Sequence, residues 1–183
     1  MNFNKLQEYE LSNTDIQKIV GKIQIIKYPN LKKYKSLDEL LNNKFNAVVI
    51  FYETQSSNVG HFTCAFKNNG VINYFDPYGL SAMDDLKHIS QTIKIQLKEV
   101  TPYLPKLMQN AVNNGESVII NKTDYQQWKS DVSTCGRHTS VRLLNKNLND
   151  KQYYEYLSNY KKKHKLPTFD DCVVDITYKI LGK

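Results

Sequence analysis

From Asn46 to Tyr52 the chain is apolar at nearly every position (Asn46-Ala-Val-Val-Ile-Phe-Tyr52). A β-branched run that does not alternate has both faces covered, so it predicts a central strand. The polar stretch Glu53 to Gly60 predicts a loop. His61–Phe66 and Val71–Phe75 then predict two strands, joined by the turn signal Asn68-Asn-Gly70 and closed by the turn Asp76-Pro-Tyr-Gly79. Upstream, residues 1–11 are polar and give no clear element. Ser12 to Asp15 offers helix caps, and Ile16, Ile19 and Val20 give one apolar side before Gly21, so a short helix is expected. Ile23 to Tyr28 predicts a strand stopped by Pro29, and Ser36 to Leu41 a second helix with Ser36 and Glu39 at capping-box spacing.

Downstream the period changes. Ser81 to Val100 has Met83, Leu86, Ile89 and Ile93 on one side of a helix, Pro102 to Val112 predicts another that breaks near Gly115, and Ser117–Asn121 predicts a last strand. The C-terminal third is helical in two pieces, one carrying Tyr153, Tyr154 and Leu157, the other Val173, Val174, Ile176 and Ile180. The basic run Lys161–Lys165 lies between them. This order predicts an α+β fold, a small and mostly antiparallel central sheet flanked by helices. With no repeat, low-complexity tract or linker, residues 1–183 read as one domain.

Composition narrows the picture. The 183 residues include 13 Tyr and 7 Phe, which excludes wholesale disorder. The net charge of +7 suits a polyanionic partner such as nucleic acid. A lysine-rich residue bias, with Asn, Ile and Tyr also abundant, accounts for it equally well. Three cysteines (Cys64, Cys135 and Cys172) fit neither a zinc site nor a disulfide framework and point to a reducing compartment. The N-terminus has no apolar signal core, and no run approaches the roughly 18 residues of a membrane span. A soluble protein, inside the cell or packaged in a particle and without a membrane partner, is expected.

Chemistry concentrates between Asp124 and His138. Cys135 is followed by Gly136 and then by the apolar run Val141–Leu144, so it stands at the mouth of a predicted helix. First-turn N–H groups and the helix dipole favour an anion there, and the thiolate is the nucleophilic form. A buried structural cysteine fits this window too. The hairpin changes the balance. His61 opens one strand and Asp76 ends its partner, so the turn between them brings both to the same end of the pair. Asp76 can then orient the His61 ring and Cys135 can meet its other nitrogen, which is the arrangement of a cysteine protease. Gln126 and Gln127, upstream of the cysteine, are candidate oxyanion donors, a role worth ~10²–10³ in rate. Each residue also has a plain role: His61 as a surface strand end, Asp76 as the turn residue before Pro77, the glutamines as solvated loop. His138, one helical turn past Cys135, is a rival base. His61 is preferred because the hairpin explains Asp76 as well. Cys64 alternates to the opposite face from His61 and reads as core. Cys172, after Asp170 and Asp171, reads as structural, with a thiol pKa raised by those charges.

Three segments in this order, Gly60-His61-Phe62, Tyr74-Phe-Asp-Pro-Tyr-Gly79 and, after the glutamines, Ser133-Thr-Cys-Gly-Arg-His138, resemble the adenovirus-type (adenain-like) maturation cysteine proteases. That family shares a clan with the SUMO and ubiquitin-like-protein proteases. The look is closest to the proteases of mavirus-like virophages and polinton-type elements, and it covers roughly residues 10–150. The resemblance implies a papain-like-clan core with His61 as base, Asp76 as orienting carboxylate, Cys135 as nucleophile and a glutamine as oxyanion donor. It further implies an endopeptidase, without metal or resident cofactor, that cuts capsid and other structural precursors after small residues, in the virion and at the assembly site in the host-cell cytoplasm. By analogy with adenoviral members, DNA or a viral peptide would activate it, and the net charge and Lys161–Lys165 are compatible with viral DNA as a partner. Two departures stand out. Phe62 replaces the tryptophan that often follows the family's histidine, and both glutamines lie farther from the cysteine than usual. Gln126 is favoured slightly because it follows an apolar residue, as the family's glutamine tends to. The alternatives are a ubiquitin-like-protein deconjugating protease, an acetyltransferase using the same triad, and a basic DNA-binding protein with an inactive triad.

Overall fold

The computed structural model describes residues 3–56, 58–87 and 89–182. At its centre lie β1 (Gln24–Lys27), β2 (Ala47–Ser56), β3 (Val59–Asn68), β4 (Val71–Phe75) and β5 (Val118–Ile120), paired in chain order. The three inner strands are antiparallel, whereas each edge strand adds in parallel, β1 on β2 and β5 on β4. The helices are α1 (Phe3–Glu8), α2 (Asn13–Val20), α3 (Leu37–Leu41), α4 (Ala82–Lys87), α5 (Gln91–Leu97), α6 (Tyr103–Asn113), α7 (Cys135–Leu144), α8 (Asp150–His164) and α9 (Phe169–Leu181), with a 3-10 turn over Tyr28–Lys33. The fold is α+β, a five-stranded sheet flanked by helices. Among the described residues no helix is long and apolar enough to cross a membrane.

The unbroken apolar run in β2 has a direct physical reason. Ala47, Val49 and Phe51 face a core shared with Leu11, Ile16, Phe62, Val141 and Val173, whereas Val48, Ile50 and Tyr52 face a second core with Leu31, Leu37, Leu104 and Leu107. The two cores lie on opposite sides of the sheet, so neither parity of β2 can be polar. Helix α7 is the centre of the first layer. It packs on β3, α2 and α9, and its residues from Cys135 to Leu143 are all buried. Gly136 allows that approach, since a Cβ there would sit 3.2 Å from the Leu11 Cβ and 3.4 Å from the Phe62 ring.

Several expectations are corrected. The predicted loop from Glu53 to Gly60 is largely paired, because β2 and β3 continue outward through Tyr52↔His61 and Glu53↔Gly60, then past a bulge to Ser56↔Val59. Its polar residues reflect a projecting ribbon rather than an irregular loop. The single helix expected from Ser81 to Val100 is two, α4 and α5, restarted where Ser90 caps the second by accepting from the Ile93 N–H. The Lys161–Lys165 run is the last turn and C-cap of α8 rather than a connection, a place where cations complement the helix dipole. Residues 3–8, which carried no sequence signal, form α1 and dock on α9. At Ser36 only half of the capping box forms: Ser36 accepts from the Glu39 N–H, but the Glu39 carboxylate reaches the Lys35 N–H instead.

Candidate active site

The β3–β4 hairpin brings His61 and Asp76 together. The last paired residues are Cys64 and Phe75, so Asp76 lies one residue beyond the ladder and turns back toward the outer part of β3. His61 Nε2 and Asp76 Oδ2 are 2.5 Å apart. The Asp76 side chain is fully buried and that of His61 is 14% exposed. Asp76 serves the turn and meets His61 at once, because its two oxygens divide the contacts. Oδ1 accepts from the Tyr78 N–H at 2.6 Å and the Leu80 N–H at 3.4 Å, which shapes the turn, and Oδ2 meets His61. Asn121, just past β5, clamps the Asp76 backbone: its Oδ1 accepts from the Asp76 N–H and its Nδ2 donates to the Asp76 carbonyl, both at 2.8 Å. Sequence reasoning missed Asn121. The signal was a polar residue ending an apolar strand.

Cys135 is the first residue of α7 and is 8% exposed. The Cys135 thiol interacts with the His61 ring, which also meets Asp76. Burial alone would push the ring toward its neutral form. The Asp76 charge and hydrogen bond, with the bond and charge of Cys135, outweigh it and hold the His61 pKa well above the ordinary value. The other two thiols differ. Burial pushes both Cys64 and Cys172 up to about 12. For Cys172 the Asp171 charge adds to burial and is not the main cause, as the sequence had suggested.

The two glutamines separate. Gln126 is buried against a cleft of about 710 Å³ that Gly60, Phe62, Tyr78, Cys135 and Gly136 also line. Its Nε2 donates to Tyr78 Oη at 2.9 Å and to the Val132 carbonyl at 3.1 Å. Gln127 points elsewhere, with its backbone N–H and its Nε2 both donating to Asp170 Oδ2 at 3.1 Å. His138, the rival base, is fully buried and bonds through Nε2 to Asp170 Oδ1 at 3.0 Å.

An aromatic stack covers the histidine. Tyr78 lies on the His61 ring, centroids 5.1 Å apart, and Trp128 lies on Tyr78 at 3.9 Å. The indole N–H donates to Asp124 Oδ2. Phe62, the residue after the histidine, packs on Phe51 in the core. The sequence reading passed over both covering rings, although Trp128 is the chain's single tryptophan and sits in a polar loop.

No family model matches the chain. A protein of Sputnik virophage, named only as uncharacterized protein V9, is 32% identical over 178 residues, which span 94% of this chain and 98% of the relative. The chain belongs to the family of this V9 protein. Among solved structures, it is similar to the C-terminal Ulp1 protease domain determined in complex with Smt3, the yeast ortholog of SUMO. That likeness has a TM-score of 0.40 and 11% identity, and covers all of this chain and 83% of the other.

Proposed function

We propose that this V9-family protein is a cysteine endopeptidase that cleaves capsid or other structural precursors during particle maturation, with Cys135 as nucleophile, His61 as acid and base, Asp76 as orienting carboxylate and Gln126 as oxyanion donor. The observation that carries the reading is the ring of His61, bonded to a buried carboxylate and coupled electrostatically to a cysteine that stands at a helix mouth on a cleft. The virophage relative and the resemblance to adenovirus-type maturation proteases support structural precursors as the substrate class.

In the proposed reaction the Cys135 thiolate, paired with the His61 imidazolium, adds to the scissile carbonyl carbon, and the π electrons move onto oxygen. That oxyanion accepts from the Cys135 backbone N–H and from Gln126 Nε2, which exchanges its Tyr78 partner for it. Collapse breaks the C–N bond while His61 gives its proton to the leaving amine, leaving a thioester on Cys135. His61, now neutral, takes a proton from a water that attacks the thioester. The thiolate leaves, the imidazolium is restored and the new carboxyl terminus departs.

The test is co-expression with the major capsid protein of the same genome and mass spectrometry of the product ends. The wild-type chain is expected to generate new termini and a folded Cys135→Ala variant none. Equal cleavage by both would overturn the proposal. Processing of a ubiquitin-type substrate with no cut in capsid protein would replace the substrate class and keep the chemistry.

A further inference from the structure

The segment between the proposed oxyanion donor and the nucleophile is fastened by one buried side chain. Asp170, the second residue of α9, is fully buried. Its Oδ2 accepts from the backbone N–H and the Nε2 of Gln127, both at 3.1 Å. Its Oδ1 accepts from His138 Nε2 at 3.0 Å and, in a short bond, from Thr134 Oγ1. Gln127 immediately follows Gln126, Thr134 immediately precedes Cys135, and His138 lies one turn along α7 from Cys135. A single carboxylate thus pins both ends of the loop and the helix on which the loop closes. Its neighbour reinforces the attachment: Asp171 Oδ1 accepts from Gln7 Nε2 at 2.7 Å, while the Gln7 carbonyl accepts from the Ser133 N–H at 2.8 Å.

Burial would favour the neutral acid at Asp170, but the His138 bond and charge and the Thr134 and Gln127 bonds more than offset it and hold the carboxyl below the usual range. Losing one of the four donors would leave a buried charge uncompensated, so the position of this carboxylate is tightly defined. Small displacements matter at this place, because an oxyanion hole acts only when its donors lie 2.7–3.1 Å from where the charge develops.

We infer that Asp170, paired with His138, is a positioning residue that sets Gln126 Nε2 and the Cys135 N–H at the spacing an oxyanion requires. The inference rests on the peptidase reading and deepens it. Asp170 does not line the cleft beside Cys135, and in the peptidase reading the reactivity of the thiol depends on His61 and Asp76. The two contributions can therefore be separated.

The experiment compares wild type and Asp170→Asn in three assays: peptide cleavage, inhibition by a peptide aldehyde, and alkylation of Cys135 by chloroacetamide. The aldehyde forms a tetrahedral adduct whose oxygen needs the hole, whereas alkylation does not. For Asp170→Asn we expect kcat and aldehyde affinity to fall together by ~10²-fold, with KM and the alkylation rate within about threefold of wild type. His138→Gln, which keeps an N–H to offer Asp170, should retain more activity than His138→Ala. Thr134→Val removes one bond and leaves the His138–Asp170 bond, and should show the same split at smaller size, so it decides the matter if Asp170→Asn does not fold. Cleavage and alkylation falling in parallel, or cleavage unchanged, overturns the positioning role while leaving the peptidase reading standing. A wild-type chain that neither cleaves nor alkylates at Cys135 overturns both.

Discussion

At the scale of single residues, the chemistry hangs on the His61 ring and what holds its charge. Asp76 and Cys135 raise its pKa against the opposing effect of burial, so the imidazolium persists above the ordinary value near 6.5. In the proposed mechanism His61 must be protonated to release the leaving amine, so kcat/KM should fall on the alkaline side only as pH rises through that raised value. Asp76→Asn removes the anion and should bring the alkaline limb of the pH profile down, together with a loss of rate on the order of 10³–10⁴, as orienting carboxylates of this kind show. An alkaline limb at the same pH in both proteins would refute the role given to Asp76. His61, Asp76 and Cys135 were legible because a hairpin and a helix start are local patterns, and these two patterns placed the three residues. Asn121, Asp170 and the Tyr78–Trp128 cover were not, because each depends on contacts between residues 32 to 50 positions apart, which no periodicity encodes.

At the scale of elements, two devices hold the ribbon that carries His61. The first is the close approach at Gly60, where a Cβ would lie 1.8 Å from the Tyr52 carbonyl oxygen. No rotation relieves such a clash with backbone, so Gly60→Ala should force β2 and β3 apart beside His61. We expect a loss of about 3 kcal/mol or more in chemical denaturation, and of cleavage with it. The second is Glu99, fully buried after α5, whose Oε1 accepts from the Glu53 N–H at 3.0 Å and whose Oε2 has no partner among the described residues. Burial raises its pKa to about 7. The folded state therefore holds a proton that the unfolded chain gives up above about 4.3, and stability should fall as pH rises from there to about 7. Glu99→Gln keeps the acceptor and removes the charge. Its melting temperature should match wild type at pH 5 and exceed it at pH 8, by the equivalent of roughly 1–3 kcal/mol. A difference independent of pH would contradict this. Element boundaries were less legible than element types. The amphipathic spacing from Ser81 to Val100 has helical period throughout, yet Ser90 caps a new helix inside it, and the polar ribbon past Tyr52 carried loop-like residues because it rims a cleft.

At the scale of the whole molecule, the sheet sits between two cores, and the proposed machinery gathers at one end of it, between the β3–β4 hairpin and α7. The layer order was readable from the non-alternating run in β2. The parallel edges were not, since β1 and β5 are short and their partners are chosen by helical connections that have no pairing signal of their own. Part of the basic charge lies on α8: Lys162, Lys163 and Lys165 are exposed at its end. If viral DNA is the partner, reversing these three charges to Glu should weaken duplex binding regardless of sequence and flatten the dependence of log K on log salt by roughly 2–3. An unchanged slope would assign the charge to another role.

The central claim is that Cys135 is a nucleophile activated by His61, and competition among the three thiols tests it most directly. Iodoacetamide labelling at pH 7, resolved cysteine by cysteine by mass spectrometry, should modify Cys135 at least ~10²-fold faster than Cys64 and Cys172, both held near 12. His61→Ala should abolish most of that advantage. Labelling of Cys135 no faster than the two core cysteines, or unchanged in His61→Ala, would contradict the account.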